Sequence, residues 1–291
     1  IFSYPISGTE ASIEAITMDD LKSFYSKNFS PSISKFNVVG KIDQEKVLEN
    51  LKGLEEKWAA KEVSIPEYPV PNQRDKASLY FVDIPNAKQS VINIGYLAMP
   101  RTDKDFYPAE VMNYKLGGSF SGNVNMILRE EKGYTYGARS GFNGGKVPGK
   151  FTASSSVRTN TTGESVQIFK EEIANYKNGI SAEDLDFTKN ALIKSNARRF
   201  ETQYSLLGML QEMSNYNLPK NYIEEEEQIV KGMTLERHME LANKYLDESK
   251  MAYVVVGDAA TQLEQFEKMG FDEVILVDKE GKELKPINIK M

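Results

Sequence analysis

The sequence repeats itself once, at a distance that only a duplicated domain accounts for. Thr17-Met18-Asp19-Asp20 opens a helical pattern that leads through Phe24, Tyr25 and Lys27 to the apolar run Phe36-Asn37-Val38-Val39-Gly40. Thr234-Leu235-Glu236-Arg237 opens a second, leading through Leu241 and Lys244 to Tyr253-Val254-Val255-Val256-Gly257. Thr to Gly spans 23 positions both times (40 − 17 and 257 − 234), and the copies lie 217 residues apart (234 − 17). Solenoid units repeat every 20–50 residues or so, so this is a domain-sized period. A first copy of equal length would extend far upstream of Ile1. Residues 1–58 are therefore expected to be the C-terminal part of a truncated homologous domain, and 78–291 a complete one. Between them, 59–77 carries Pro66, Pro69 and Pro71 among charged residues, which neither a helix nor a central strand tolerates. This stretch reads as a linker.

Composition removes several functions. A net charge of −6 argues against nucleic acid, which calls for a basic face. No apolar run approaches the roughly 18–20 residues of a membrane span. The absence of cysteine excludes disulfides and cysteine-ligated metals. Hydrophobic residues make up 40 %, enough for a core. The compartment, periplasmic or cytoplasmic, stays open.

Local patterns give an element order. Thr17 with Asp20 reads as a capping box, so a helix is expected over about 18–28. A short buried strand should hold Val38 and Val39, and a helix should run from Gln44 to Trp58. In the second domain, strands are expected at 78–84 and 89–98. A helix over about 105–116 leads to the loop Gly117-Gly118-Ser119-Phe120-Ser121-Gly122, and a short helix over 123–132 stops at Gly133. Residues 134–142 and 150–157 read as a hairpin across Asn143-Gly144-Gly145. Helices follow at 162–178, 181–201, 203–216 and 234–247. The acidic stretch 223–231 reads as a solvated face. A strand at 251–256, a helix near 260–269 and a strand near 274–277 complete the chain. Strands first and a block of helices later describe an α+β fold: a mixed sheet with helices packed on one face.

One motif carries a family resemblance. Leu128-Arg129-Glu130-Glu131-Lys132-Gly133-Tyr134-Thr135-Tyr136 follows the Gly117–Ser121 loop at short distance. Together with the helices over 181–215, the Val-Val-Val-Gly-Asp run ending at Asp258 and the internal duplication, it resembles the C-terminal half of the insulinase/pitrilysin family of zinc metallopeptidases. The resemblance covers essentially the whole chain. It implies tandem homologous domains facing each other as a clamshell. Zinc would be held by an inverted H-x-x-E-H on one domain, and the facing domain would supply an Arg and, seven residues on, a Tyr. Those positions are Arg129 and Tyr136 (136 − 129 = 7). The chain departs from the family in having one histidine, His238, with no second at ligand spacing. Zinc is therefore expected in the full-length protein or a partner subunit, and none on this chain.

The residue types suit that chemistry. Peptide hydrolysis passes through a tetrahedral oxyanion, which a phenol hydroxyl on a rigid strand can stabilise. A guanidinium can bind a carbonyl or carboxylate with parallel bonds. Tyr136 is assigned to oxyanion stabilisation, Arg129 to substrate carbonyl binding, and Phe120 to substrate contact. Tyr134 shares the strand face by alternation but has the wrong spacing, and reads as packing. The expected function is the substrate-binding half of a zinc metalloendopeptidase acting on peptides, with the zinc-bearing domain or subunit as partner. The alternative is a non-catalytic structural or peptide-binding subunit of the same fold.

Overall fold

The computed structural model describes residues 6–271 and 273–284. Contacts divide them into two compact units. The first combines the chain up to Pro71 with Arg198–Leu218, and the second combines Asn72–Ala197 with the chain from Pro219 onward.

The first unit is helical: α1 (Glu10–Glu14), α2 (Met18–Asn28), α3 (Gln44–Lys57) and α8 (Gln203–Tyr216). The capping box of α2 forms as its sequence dictates. The Thr17 hydroxyl accepts from Asp20 N at 3.2 Å, and the Asp20 carboxylate accepts from Thr17 N at 2.9 Å. Ser30 Oγ accepts from Lys61 N and donates to Lys61 O, so the first residues of the proline-rich stretch are tied to this unit. The strand expected around Val38 does not form. Residues 34–39 carry no regular structure, and Phe36 is 66 % exposed. A strand is stable only when its backbone groups find a ladder, and no strand lies in this unit among the described residues.

The second unit is built on a six-stranded sheet: β1 (Ser78–Asp83), β2 (Gln89–Leu97), β3 (Thr135–Asn143), β4 (Lys150–Arg158), β5 (Ala252–Gly257) and β6 (Glu273–Val277). The spatial order is β3-β4-β2-β5-β1-β6. β1 runs parallel to β5 and β6, while β2, β3 and β4 pair antiparallel, so the sheet is mixed. Among the described residues seven α-helices belong to it: α4 (Phe106–Asn113), α5 (Asn123–Asn125), α6 (Thr162–Tyr176), α7 (Ala182–Asn196), α9 (Tyr222–Gly232), α10 (Leu235–Tyr245) and α11 (Ala259–Glu267).

Alternation along each strand decides which face is dry. Leu79 and Phe81, Ile92 and Ile94, Phe151 and Ala153, and Tyr253 and Val255 are buried with Met112, Phe169, Ile173, Leu241 and Phe266 of the helices. Truncating one of these aromatics to Ala costs about 3–5 kcal/mol. The opposite face carries Val91, Asn93, Arg139, Ser156 and Val254, which are exposed or half-buried. Helices thus pack on one face, as the pattern of elements predicts. The acidic stretch 223–231 is less solvated than expected: it lies in α9, which buries Tyr222, Ile223, Glu226 and Val230.

A charge knot fixes the start of α4. The buried Asp105 carboxylate accepts from Arg237 at 2.6 Å, Lys244 at 2.7 Å and the Tyr245 hydroxyl at 2.9 Å. Burial alone would raise its pKa, but these bonds and the two cations outweigh it and hold the group below the usual carboxylate range.

Candidate functional site

Tyr136 stands where the ladder between β3 and β4 is interrupted. Thr135 pairs with Val157, but the next aligned pair is Ala138 with Ser155, so a β-bulge takes up the residues between. A polar network closes the bulge. Thr135 Oγ1 donates to Ser156 O at 2.7 Å and accepts from Gly137 N at 3.0 Å, and Ser155 Oγ donates to Gly137 O at 3.0 Å. The Tyr136 side chain is left 90 % exposed. Bulges commonly re-aim a side chain in this way, and here the bulge replaces the simple pleat expected for Tyr136. Alternation with Tyr134 therefore fails. Tyr134 lies just before the strand and is half-buried against the core. Its hydroxyl donates to Glu164 at 2.6 Å beside Lys132 Nζ at 2.8 Å. That bond raises the Tyr134 pKa, and the two donors lower that of Glu164.

Arg129 lies in a π-helical segment, Met126–Glu131, which continues α5. Gly133, at φ +63°, reverses the chain, and Tyr134 N donates back to Leu128 O at 2.8 Å. π-turns recur at functional sites. The Arg129 guanidinium sits 4.8 Å from the centroid of the Phe120 ring and 3.2 Å from Glu130. The structure thus brings Arg129 and Phe120 together. It also shows a residue that sequence reasoning missed. Asn125, buried, donates to Phe120 O at 2.7 Å and accepts from Ala138 N at 3.0 Å. One amide therefore ties the Phe120 loop to β3 at the end of the Tyr136 bulge. Its signal in the sequence is only an Asn in a short helix before the Arg motif.

Close approaches require the glycines at both ends of the Gly117–Gly122 loop. A Cβ on Gly117 would lie 2.5 Å from Ser140 N, and one on Gly122 2.8 Å from Gly117 Cα. They let the loop close on itself and on β3. The outer edge of β3 is sealed further by Asn113, which donates to Ser140 O at 2.9 Å while Asn125 accepts from Ala138 N.

Tyr136 lines an open depression of about 390 Å³ with residues of β2 and β4, among them Asn93, Ser154 and Ser156. Arg139 is its one charged lining residue. The walls offer more hydrogen-bonding than apolar surface, an arrangement suited to an extended polar backbone more than to a greasy ligand.

The described residues do not fit a zinc site. No group of three His, Cys, Asp or Glu side chains converges among them. His238 is in the core: Nε2 lies 3.2 Å from Met112 O and from the Tyr176 hydroxyl. Burial pushes its pKa down to about 4, with the bond to Met112 O opposing. The helical spacing His238, Leu241, Ala242 puts it on the dry stripe of α10.

A family model described as the peptidase M16 inactive domain matches residues 15–192, more than half of the chain. The chain belongs to that family. Among M16 relatives, an uncharacterized zinc protease of Streptomyces coelicolor is 25 % identical over 173 residues, covering 58 % of this chain and 38 % of that protein. A non-peptidase homolog, YmxG of Helicobacter pylori, is 23 % identical over 256 residues, covering 86 % of this chain and 58 % of its own length. The solved peptidase M16 inactive domain from Pseudomonas fluorescens superposes with a TM-score of 0.78 at 26 % identity, over 87 % of this chain and 61 % of that one. The first half of the periplasmic protease PqqL from Escherichia coli shares the fold, with a TM-score of 0.63 at 16 % identity, over 89 % of this chain and 58 % of that one. The M16 chain described here thus spans under two thirds of each of these relatives. No helix among the described residues is long and apolar enough to cross a membrane.

Proposed function

We propose that this chain is the substrate-binding, transition-state-stabilising half of a zinc metalloendopeptidase, with the metal held by a domain or subunit outside it. One observation carries the reading. Tyr136 is neither a packing residue nor a pairing residue, yet a hydrogen-bonded bulge holds it out beside a polar depression. A fixed phenol at that place can donate to the oxyanion that forms as a peptide carbonyl is attacked, a contribution of about 2.7–4 kcal/mol where such donors have been removed. Arg129, steadied by Phe120, binds a substrate carbonyl with its remaining N–H groups. Because β3 is sealed by Asn113 and Asn125, backbone pairing with the peptide belongs to the zinc-bearing side.

The internal repeat supports a tandem arrangement. At the 217-residue offset, Phe24 corresponds to Leu241 and Phe36 to Tyr253. Leu241 and Tyr253 are 0 % exposed, whereas Phe24 is 60 % and Phe36 66 % exposed. We infer that residues 1–58 are the end of a homologous domain whose sheet would cover those side chains.

The second reading, a non-catalytic peptide-binding subunit, is favoured by the non-peptidase homolog from Helicobacter pylori. Fluorescence anisotropy with short unfolded peptides tests the first. The 291-residue chain should bind weakly, lose binding in Arg129→Ala, keep it in Tyr136→Phe, and hydrolyse nothing. Chelator-sensitive hydrolysis by this chain alone, or unchanged binding in Arg129→Ala, would overturn the assignment. Peptide binding without any turnover by the natural-length protein together with any zinc-bearing partner subunit would establish the second reading.

A further inference from the structure

Arg139 stands three residues beyond Tyr136 on β3 and lines the same depression. Ala138 and Ser140, on either side of it, are buried, so by alternation the exposed Arg139 side chain belongs to the open face of the sheet. Its Cα partner on β4 is Ser154, whose own partner on β2 is Asn93. Arg139, Ser154 and Asn93 therefore form one polar row across three strands, and all three line the depression.

The charge in that row is uncompensated. The chain carries a net charge of −6, yet no residue lining the depression is acidic. Among the described residues no carboxylate is paired with Arg139. Several other arginines are satisfied within the chain: Arg101 by Glu226, Arg129 by Glu130 and Arg237 by Asp105. A second cavity, of about 320 Å³, lies beside Arg74 and Lys250, but its lysines are paired, Lys244 with Asp105 and Lys250 with Asp247. Arg139 is thus an accessible guanidinium with its planar fork of donors to offer. The Ser154 hydroxyl and the Asn93 amide beside it can donate to the same acceptor.

We propose that Arg139 selects peptides that carry a carboxylate near the carbonyl served by Tyr136, either an Asp or Glu side chain or the peptide's own C-terminus. The proposal rests on the peptide-binding reading above and adds a substrate preference to it. A bond from a guanidinium to a carboxylate is stronger than one to a neutral amide, so Glu is favoured over its isostere Gln. Three residues of extended chain cover about 10 Å. The selected carboxylate therefore lies within about three residues of the Tyr136 carbonyl.

The test is stopped-flow fluorescence anisotropy of the natural-length protein, together with any zinc-bearing partner subunit, so that binding is read before turnover. The probes are short, neutral, C-terminally amidated peptides in which a single Gln→Glu change is moved along the sequence, and the neutral peptide with a free C-terminus. Glu should bind several-fold tighter than Gln at one or two positions, which identifies a side chain as the source, or the free C-terminus tighter than the amide, which identifies the terminus. Arg139→Gln should level the preference and Arg139→Glu should reverse it. Arg139 is exposed, so neither change disturbs the core. Equal affinities for all probes in the wild type, or a preference that survives in Arg139→Gln, overturns the proposal and leaves peptide binding standing. Failure of every probe to bind overturns the peptide-binding reading itself, and this proposal with it.

Discussion

The guanidinium of Arg129 lies 4.8 Å from the centroid of the Phe120 ring, although the two sit on separate turns that flank the short helix α5. At an exposed site such a contact stabilises by about 0.5–1 kcal/mol. Its larger effect is on Arg129, whose long side chain is confined before substrate arrives. Phe120→Ala is expected to weaken peptide binding several-fold while moving unfolding stability by no more than about 1 kcal/mol. Anisotropy and urea titrations measure both. Wild-type affinity in Phe120→Ala would remove Phe120 from the site.

Asn125→Ala attacks the same site from beneath. It leaves the Ala138 N–H and the Phe120 carbonyl without their partner. The Ala138 N–H is buried, and leaving it orphaned costs about 1–3 kcal/mol. Stability should fall by about that much, and peptide binding should fall further than in Phe120→Ala, because the loop and the bulge lose their common anchor. A variant with lowered stability and intact binding would make Asn125 structural only.

His238 gives the fold an acid-side weakness. Its native pKa is about 4 because it is buried, against about 6.5 in the unfolded chain. Between those values the unfolded state takes up a proton that the native state refuses. Stability therefore falls as pH drops from about 6.5 toward 4, by about 2–3 kcal/mol at pH near 4.5, and this contribution is flat above 6.5. The loss between neutral and acid pH should be smaller by that amount in His238→Gln. Equal losses in wild type and variant would contradict it.

Much of this was legible in the sequence. Capping at Thr17 and Ser181 forms because a side-chain hydroxyl and an acidic N3 residue settle a helix start locally. The alternation over Gln89–Leu97 marks one dry face, and β2 buries Ser90, Ile92 and Ile94 on it. Three features were not legible. The apolar run at Phe36 lacks the pairing that would make it a strand, which no local pattern records. The bulge at Tyr136 depends on Thr135 and Ser155, twenty residues apart, finding each other at 2.9 Å. Arg74 and Lys250 line one cavity only because β1 and β5 lie side by side.

The central claim is that Tyr136 acts on the reacting carbonyl. The direct test is kcat/KM of the natural-length protein on an unfolded peptide, wild type against Tyr136→Phe. Removing an oxyanion donor should lower kcat by about 10²–10³-fold with KM little changed. Because the side chain is almost wholly exposed, the melting temperature should not move. A kcat/KM equal to wild type would contradict the account.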